Sequence, residues 1–158
     1  MYVYHTLSMI DLVTVRPIEE KDFPELDAWF GLATAYKKSR QLWVDYFNQT
    51  KNGQRMAVVA ERAGKIVGYC TLKFESNYAP FKTANIPEIS DLGVILPSRN
   101  QGVGRTIMTS LETFAKKRGA TEIGIGFGLY GDYGPAQRLY VKMGYIPDGR
   151  GATYAFRP

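Results

Sequence analysis

The stretch Glu88-Ile89-Ser90-Asp91-Leu92-Gly93-Val94-Ile95-Leu96-Pro97-Ser98-Arg99-Asn100-Gln101-Gly102-Val103-Gly104-Arg105 decides the reading of the fold. Residues 87–96 form a β-rich run that stops at Pro97, and a long helix begins around Gly102. Val103, Ile107, Met108, Leu111, Phe114 and Ala115 recur at helical spacing on one stripe, and Gly119 stands where a C′ glycine ends the helix. A strand, a glycine-containing turn and a helix N-terminus make an anion site. Unpaired backbone N–H groups converge there, and the helix dipole favours negative charge. Gly102 and Gly104 would let backbone approach phosphate oxygens closely. Residues 99–118 carry Arg99, Arg105, Lys116, Lys117 and Arg118 against Glu112 alone, which is four of the five net positive charges of the chain. The triplet 116–118 also reads as a solvated helix end complementing the dipole.

Outward from this unit, residues 9–16 read as a first strand with Pro17 as its break, and Asp22 as the cap of a helix through Phe30. Leu42, Trp43, Tyr46 and Phe47 recur at helical spacing over 39–48. Residues 55–62 and 65–74 are β-rich runs joined by Ala63-Gly64, a hairpin pattern. The polar, aromatic, Pro-containing stretch 76–85 reads as a loop. Downstream come a strand over 122–129, a short helix from Pro135 to Met143 with Gly144 beyond it, and a closing hairpin over 145–156 turning at 147–149. This order predicts a mixed α/β (α+β), mostly antiparallel sheet with helices on both faces. Within 122–129, apolar residues alternate with Gly124, Gly126 and Gly128, leaving one strand face bare. The bare face either admits a ligand or makes room for the helix over 103–118.

With 158 residues, 45% hydrophobic and 22% charged, one domain of ordinary core size is expected, with residues 1–8, including His5, as a disordered extension. No apolar run approaches the roughly 20 residues of a membrane helix, and no signal peptide pattern opens the chain. The expected location is the cytoplasm. One cysteine, Cys70, excludes an internal disulfide, and one histidine excludes a His-based metal site or a Ser-His-Asp triad. Cys70 lies in an apolar strand and reads as a small core residue.

The lysine-serine pair of a nucleotide-binding P-loop is absent, and Ile107 stands at the third glycine of a dinucleotide fingerprint. The run Arg99-x-x-Gly102-x-Gly104 after a strand ending at Pro97 instead resembles the acetyl-coenzyme A pyrophosphate motif of the GNAT superfamily of N-acyltransferases. The segment Ala136-Gln137-Arg138-Leu139-Tyr140-Val141-Lys142-Met143-Gly144-Tyr145 is similar to the second signature of that family. The resemblance spans 88–145 and agrees in order of elements back to Met9. Asn100 and Tyr133 stand where members often carry Arg and Asn. The resemblance implies a GNAT-like fold and transfer of an acetyl group from acetyl-coenzyme A to a primary amine by direct attack, without a metal. It also implies donor contacts from Leu92, Gly93, Val94, Arg99, Asn100, Gln101, Gly102, Val103, Gly104, Arg105, Tyr133 and Ala136. The pantetheine arm would enter between two splayed strands and pair with residues 92–94 like an added strand.

Such a transfer needs a neutral amine, a polarised carbonyl and a proton for the departing thiolate. Tyr140 matches the usual general acid of the family, and a phenol with a pKa near 10 keeps its proton at neutral pH. As part of the apolar stripe Ala136, Leu139, Tyr140 and Met143 it also reads as core. Glu88 corresponds to a strand position where several members place a catalytic Glu. Ser90 shares its face and Asp91 points to the other by the period-two rule, unless a bulge redirects it, so both carboxylates are candidates for the base. The acceptor side would draw on Trp29, Trp43, Tyr46, Tyr78 and Phe81. The partner expected is a small-molecule or peptide amine, with no nucleic acid and no membrane; a homodimer stays open. An acyl-coenzyme A sensor without turnover is the competing class. Nucleic-acid binding rests only on the pI near 9.3.

Overall fold

Ala63 and Gly64 both adopt left-handed φ, +51° and +73°, the geometry of a two-residue turn whose twist matches that of paired strands. They join β2 (Arg55–Arg62) to β3 (Lys65–Lys73) at the centre of a five-stranded sheet. The computed structural model that places them describes residues 12–29, 38–128 and 131–150. Strand order is β1-β2-β3-β4-β5, with β1 (Thr14–Pro17) and β4 (Glu88–Val94) flanking the hairpin antiparallel and β5 (Gly124–Ile125) parallel to β4. The fold expected from the sequence is the one found.

Two apolar clusters cover the two faces. On one, α1 (Phe23–Asp27) and α2 (Arg40–Lys51) pack Phe23, Leu26, Trp43 and Tyr46 onto Ala57, Val59 and Tyr69. On the other, α4 (Val103–Lys117) sets Val103, Ile107, Met108, Leu111 and Ala115 against Val58, Cys70, Leu72 and Ile89, with α5 (Gly134–Lys142) beside it. Burying each large member of that stripe contributes about 1.5–3 kcal/mol. Gly68 of β3 allows the close approach of α4, since a side-chain carbon there would meet Ile107 at 2.6 Å. The seat fixes the N-terminus of α4 beyond the end of β4.

Several local expectations are corrected. β1 starts at Thr14 and includes Pro17; residues 9–11 and the extension 1–8 with His5 lie outside the described residues. α1 ends at Asp27, and Phe30 lies outside the described residues. Asp22 precedes α1 without capping it, because its carboxylate binds Arg16 at 2.7 and 2.8 Å and the Glu19 amide at 2.8 Å. The loop 76–85 contains a short helix, α3 (Ala79–Thr83), with Pro80 in its first turn. The strand expected over 122–129 is reduced to two residues, with Leu129 outside the described residues, and residues 145–150 form no strand. The rest of that hairpin, 151–156, lies outside the described residues.

Candidate active site

One extra residue in β4 organises the site. Tyr69 pairs with Gly93 and Thr71 with Ser90, so Asp91 and Leu92 together oppose Cys70 alone. Asp91 takes φ +60°, the bulged conformation. The bulge resets the alternation: Asp91 falls on the same face as Glu88 and Ser90, not on the opposite one, while Leu92 packs into the α4 cluster. Gly93 lets Tyr69 lie across the strand, since a side-chain carbon there would sit 2.3 Å from its ring.

The two candidate carboxylates differ in their surroundings. Both Asp91 oxygens are engaged: Lys38 Nζ binds Oδ1 and Oδ2, the Tyr46 hydroxyl donates to Oδ2 at 2.8 Å, and the Tyr69 hydroxyl reaches Oδ1 at 3.4 Å. Lys38 also lies over the rings of Tyr69 and Trp43. Burial, then the Asp91 charge, pushes the Tyr46 and Tyr69 phenols above their usual range. Glu88 is 4% exposed and receives the Ser76 hydroxyl on Oε2 at 2.7 Å, with Lys73 Nζ at 3.8 Å from that oxygen. Its Oε1 has no hydrogen-bond partner among the described residues and faces the glycine strip, 3.2 Å from where a Gly126 side-chain carbon would sit.

That strip does not make room for α4. Side-chain carbons built at Gly124 and Gly128 would strike the rings of Phe81 and Tyr133 at 2.2 and 2.7 Å, so the bare face admits aromatic rings and the Glu88 carboxylate. Ile123 and Ile125 supply the face toward α4.

β4 and β5 pair only at Glu88↔Gly124 and Ile89↔Ile125. Beyond these rungs the described residues give β4 no partner on its β5 side. The Ile95 amide donates to Val67 O at 3.2 Å on the β3 side; by alternation the amides of Leu92 and Val94 face the β5 side. This open edge leads to the N-terminus of α4. Gly102 there is left-handed (φ +83°) and no side chain caps the helix, which leaves the first-turn amides of Val103, Gly104 and Arg105 available to an anion. Arg99 Nε donates to Val94 O at 3.0 Å and Gln101 Nε2 to Pro97 O at 2.7 Å, bracing the turn, while Asn100 (φ +59°) is exposed. Gly104 serves packing: a side-chain carbon would meet Leu139 of α5 at 3.1 Å. Ala136 packs beside Leu139 against the same cluster.

Tyr140 is 6% exposed, its ring between Phe127 and Tyr145 at 6.0 and 6.2 Å. Its hydroxyl has no hydrogen-bond partner among the described residues. Burial, then the neighbouring Cys70 and Tyr133, pushes the phenol above its usual range, so it holds its proton throughout neutral pH. Tyr140 belongs to the α4 cluster and Glu88 to the opposite face. The two groups therefore lie on opposite faces of the sheet. Cys70 is fully buried and its thiol is pushed up by burial, in keeping with a core role.

Of the aromatics expected on the acceptor side, Trp29 and Trp43 are core, Tyr46 binds Asp91, and Phe81 lines a cleft of about 650 Å³ with Tyr78 stacked edge-on at 5.0 Å. Sequence reasoning missed Lys38, Arg55 and Ser76. Arg55 opens β2 ahead of the apolar run 56–60, the one signal that could have marked it; nothing local distinguishes the other two.

No described helix is long and apolar enough to cross a membrane. The chain matches the model of the acetyltransferase (GNAT) family over residues 13–145. No curated protein matches it significantly. Among solved structures it is similar to a transcriptional regulator from Bacillus halodurans C-125, with TM-score 0.71 and 19% identity, covering 90% of this chain and 99% of that one. An N-acetyltransferase from Staphylococcus aureus Mu50 gives TM-score 0.67 at 16% identity, covering 84% and 82%. AAC(6')-Iy in complex with the bisubstrate analogue CoA-S-monomethyl-acetylneamine gives TM-score 0.72 at 11% identity, covering 91% and 97%. With the family model covering most of its length, this chain belongs to the GNAT acetyltransferase family and is an N-acyltransferase.

Proposed function

We propose that the protein transfers an acetyl group from acetyl-coenzyme A to a primary amine by direct attack in a ternary complex. The observation that carries this reading is the continuous open edge running from the unpaired side of β4 into the uncapped N-terminus of α4. An extended amide-bearing arm fits the amides of Leu92 and Val94, and a pyrophosphate fits the α4 amides with Arg99 and Arg105 alongside. The bound donor supplies an electrophilic thioester.

The residues of the chain manage the protons. Glu88 Oε1 accepts the proton of the attacking amine, directly or through a water. Among the described residues it has no hydrogen-bond partner, which favours it over Asp91, whose oxygens are taken by Lys38, Tyr46 and Tyr69. Tyr140 donates its phenolic proton to the departing sulfur as the carbon–nitrogen bond forms and the carbon–sulfur bond breaks. The Tyr133 ring lies against Gly128, at the end of the glycine strip.

The test combines two measurements. Acetyl-coenzyme A at ~100 times its Kd should stabilise the protein by about 2.7 kcal/mol, and thiol release should require a primary amine. A stabilising donor that no amine discharges would leave a binding protein without turnover.

A further inference from the structure

The acceptor face carries a charge pattern that bears on which amines it takes. The cleft beside Glu88 is walled by Arg55, Lys73 and Lys82 against the single carboxylate Glu75, which is bound to Lys82. Arg55 is half-buried, and its contacts are all neutral. Nε donates to Gln49 Oε1 at 2.7 Å, Nη1 donates to Thr71 Oγ1 at 2.6 Å, and the guanidinium stacks on Tyr46 at 4.6 Å. Among the described residues no carboxylate touches it. Its Nη2 donors have no described partner on the wall of the cleft.

A guanidinium withdrawn from water with no carboxylate in contact, the charges of Asp91 and Glu88 acting on it only from a distance, is costly, and its planar fork matches an anionic oxygen group. Thr71 Oγ1 shares a hydrogen bond with Ser90 Oγ at 2.9 Å, and Ser90 stands between Glu88 and Asp91. Arg55 is therefore linked through Thr71 to Ser90, the β4 residue that shares a face with Glu88. Among the described residues a polycation would find no free carboxylate here. Asp91 is held by Lys38, Glu75 by Lys82, and Glu88 is needed as proton acceptor.

We infer that the acceptor is a small primary amine that also carries an anionic oxygen group, carboxylate or phosphate, which binds Arg55 while the amine nitrogen lies at Glu88. The inference rests on the acetyl-transfer reading above and narrows its substrate. Lys73 and Lys82 each stand beside a carboxylate, Glu88 and Glu75, so the positive excess of the cleft is that of Arg55, which favours such a molecule over aminoglycosides and polyamines.

The experiment is thiol release from acetyl-coenzyme A with matched pairs of amines: glycine and glycinamide, β-alanine and β-alaninamide, O-phosphoethanolamine and ethanolamine. Spermidine and kanamycin serve as polycations. The anionic member of at least one pair should exceed its neutral partner at least tenfold in kcat/KM, mainly through KM, and the pairs separate carboxylate from phosphate recognition. Arg55→Gln should remove that preference while the stabilisation by acetyl-coenzyme A persists. If Arg55→Gln does not fold, Lys82→Glu, at an exposed position, should reduce the same ratio. Preference for spermidine or kanamycin, or an anionic preference that survives both variants, overturns the inference alone. No thiol release with any amine overturns the transfer reading and this inference with it.

Discussion

Replacing Glu88 by Gln separates the proton acceptor from everything else the side chain does. The carboxylate is buried, and its one close neutral contact is the Ser76 hydroxyl at 2.7 Å, which a glutamine carbonyl can still accept. The loss is one charge-assisted hydrogen bond and the attraction of Lys73 at 3.8 Å, offset by relief from burying a charge, so the cost is about 1 kcal/mol and Tm falls by no more than about 4 °C. Catalysis should suffer far more. An alkylamine with pKa near 10.4 is neutral to only about 4 parts in 10⁴ at pH 7, so a variant that must wait for neutral amine loses roughly 10³-fold in kcat/KM there. The neutral fraction grows about tenfold per pH unit below that pKa. The gap between wild type and Glu88→Gln should therefore close by about two orders of magnitude between pH 7 and 9, read by thiol release at subsaturating amine. Parallel pH profiles, or full activity of the variant at pH 7, would refute the assignment; the same defect in Asp91→Asn with Glu88→Gln silent would transfer the role.

Tyr140→Phe should lower kcat by roughly 10²-fold or more while the thermal shift with acetyl-coenzyme A persists, since the phenol acts as charge develops on sulfur; unchanged turnover returns Tyr140 to packing alone. Gly124→Ala should destabilise by about 1–3 kcal/mol in thermal denaturation, because its Cβ lands 2.2 Å from the Phe81 ring, and a neutral result would contradict that packing. Asp22→Asn should cost about 2 kcal/mol above pH 5. Burial alone would raise the Asp22 pKa, but the Arg16 hydrogen bonds, the Glu19 amide and the Arg16 charge outweigh it and hold it below the usual carboxylate range. A depressed folded pKa gives stability that is full above the unfolded value near 3.9 and is lost as pH falls through the folded one, so the difference between Asp22→Asn and wild type should shrink below about pH 4. A constant difference from pH 7 to 2.5 in urea titrations contradicts this.

Sequence carried the elements whose signals are local. Ala63-Gly64, the stripe from Val103 to Ala115 and the glycines at 119 and 144 each act within a few residues, and all hold in the structure. The face of Asp91 was not legible. A non-glycine residue at φ +60° is set by pairing across β3, where Cys70 faces two residues, and no neighbour in sequence signals it. The glycine strip was legible as a bare face, but what covers it comes from Phe81 and Tyr133, elements distant in sequence. Pro80 could have announced α3, while five apolar and polar positions are too few for periodicity to speak. Arg16 and Asp22 formed an ion pair across a turn in competition with the cap that the spacing suggested, and the ion pair won.

The placement of Glu88 and Tyr140 on opposite faces of the sheet has a consequence for how such a protein can change. In the proposed transfer the acyl donor is held chiefly through backbone amides at 92–105, which tolerate side-chain drift. The cleft proposed for the amine, with Gln49, Arg55, Ser76 and Phe81 in its wall, draws on other segments. No described hydrogen bond links Tyr140 to Glu88. On that reading, substitutions around the cleft can exchange one amine for another while the donor site and the acid are kept, and a new specificity can arise without passing through an inactive ancestor.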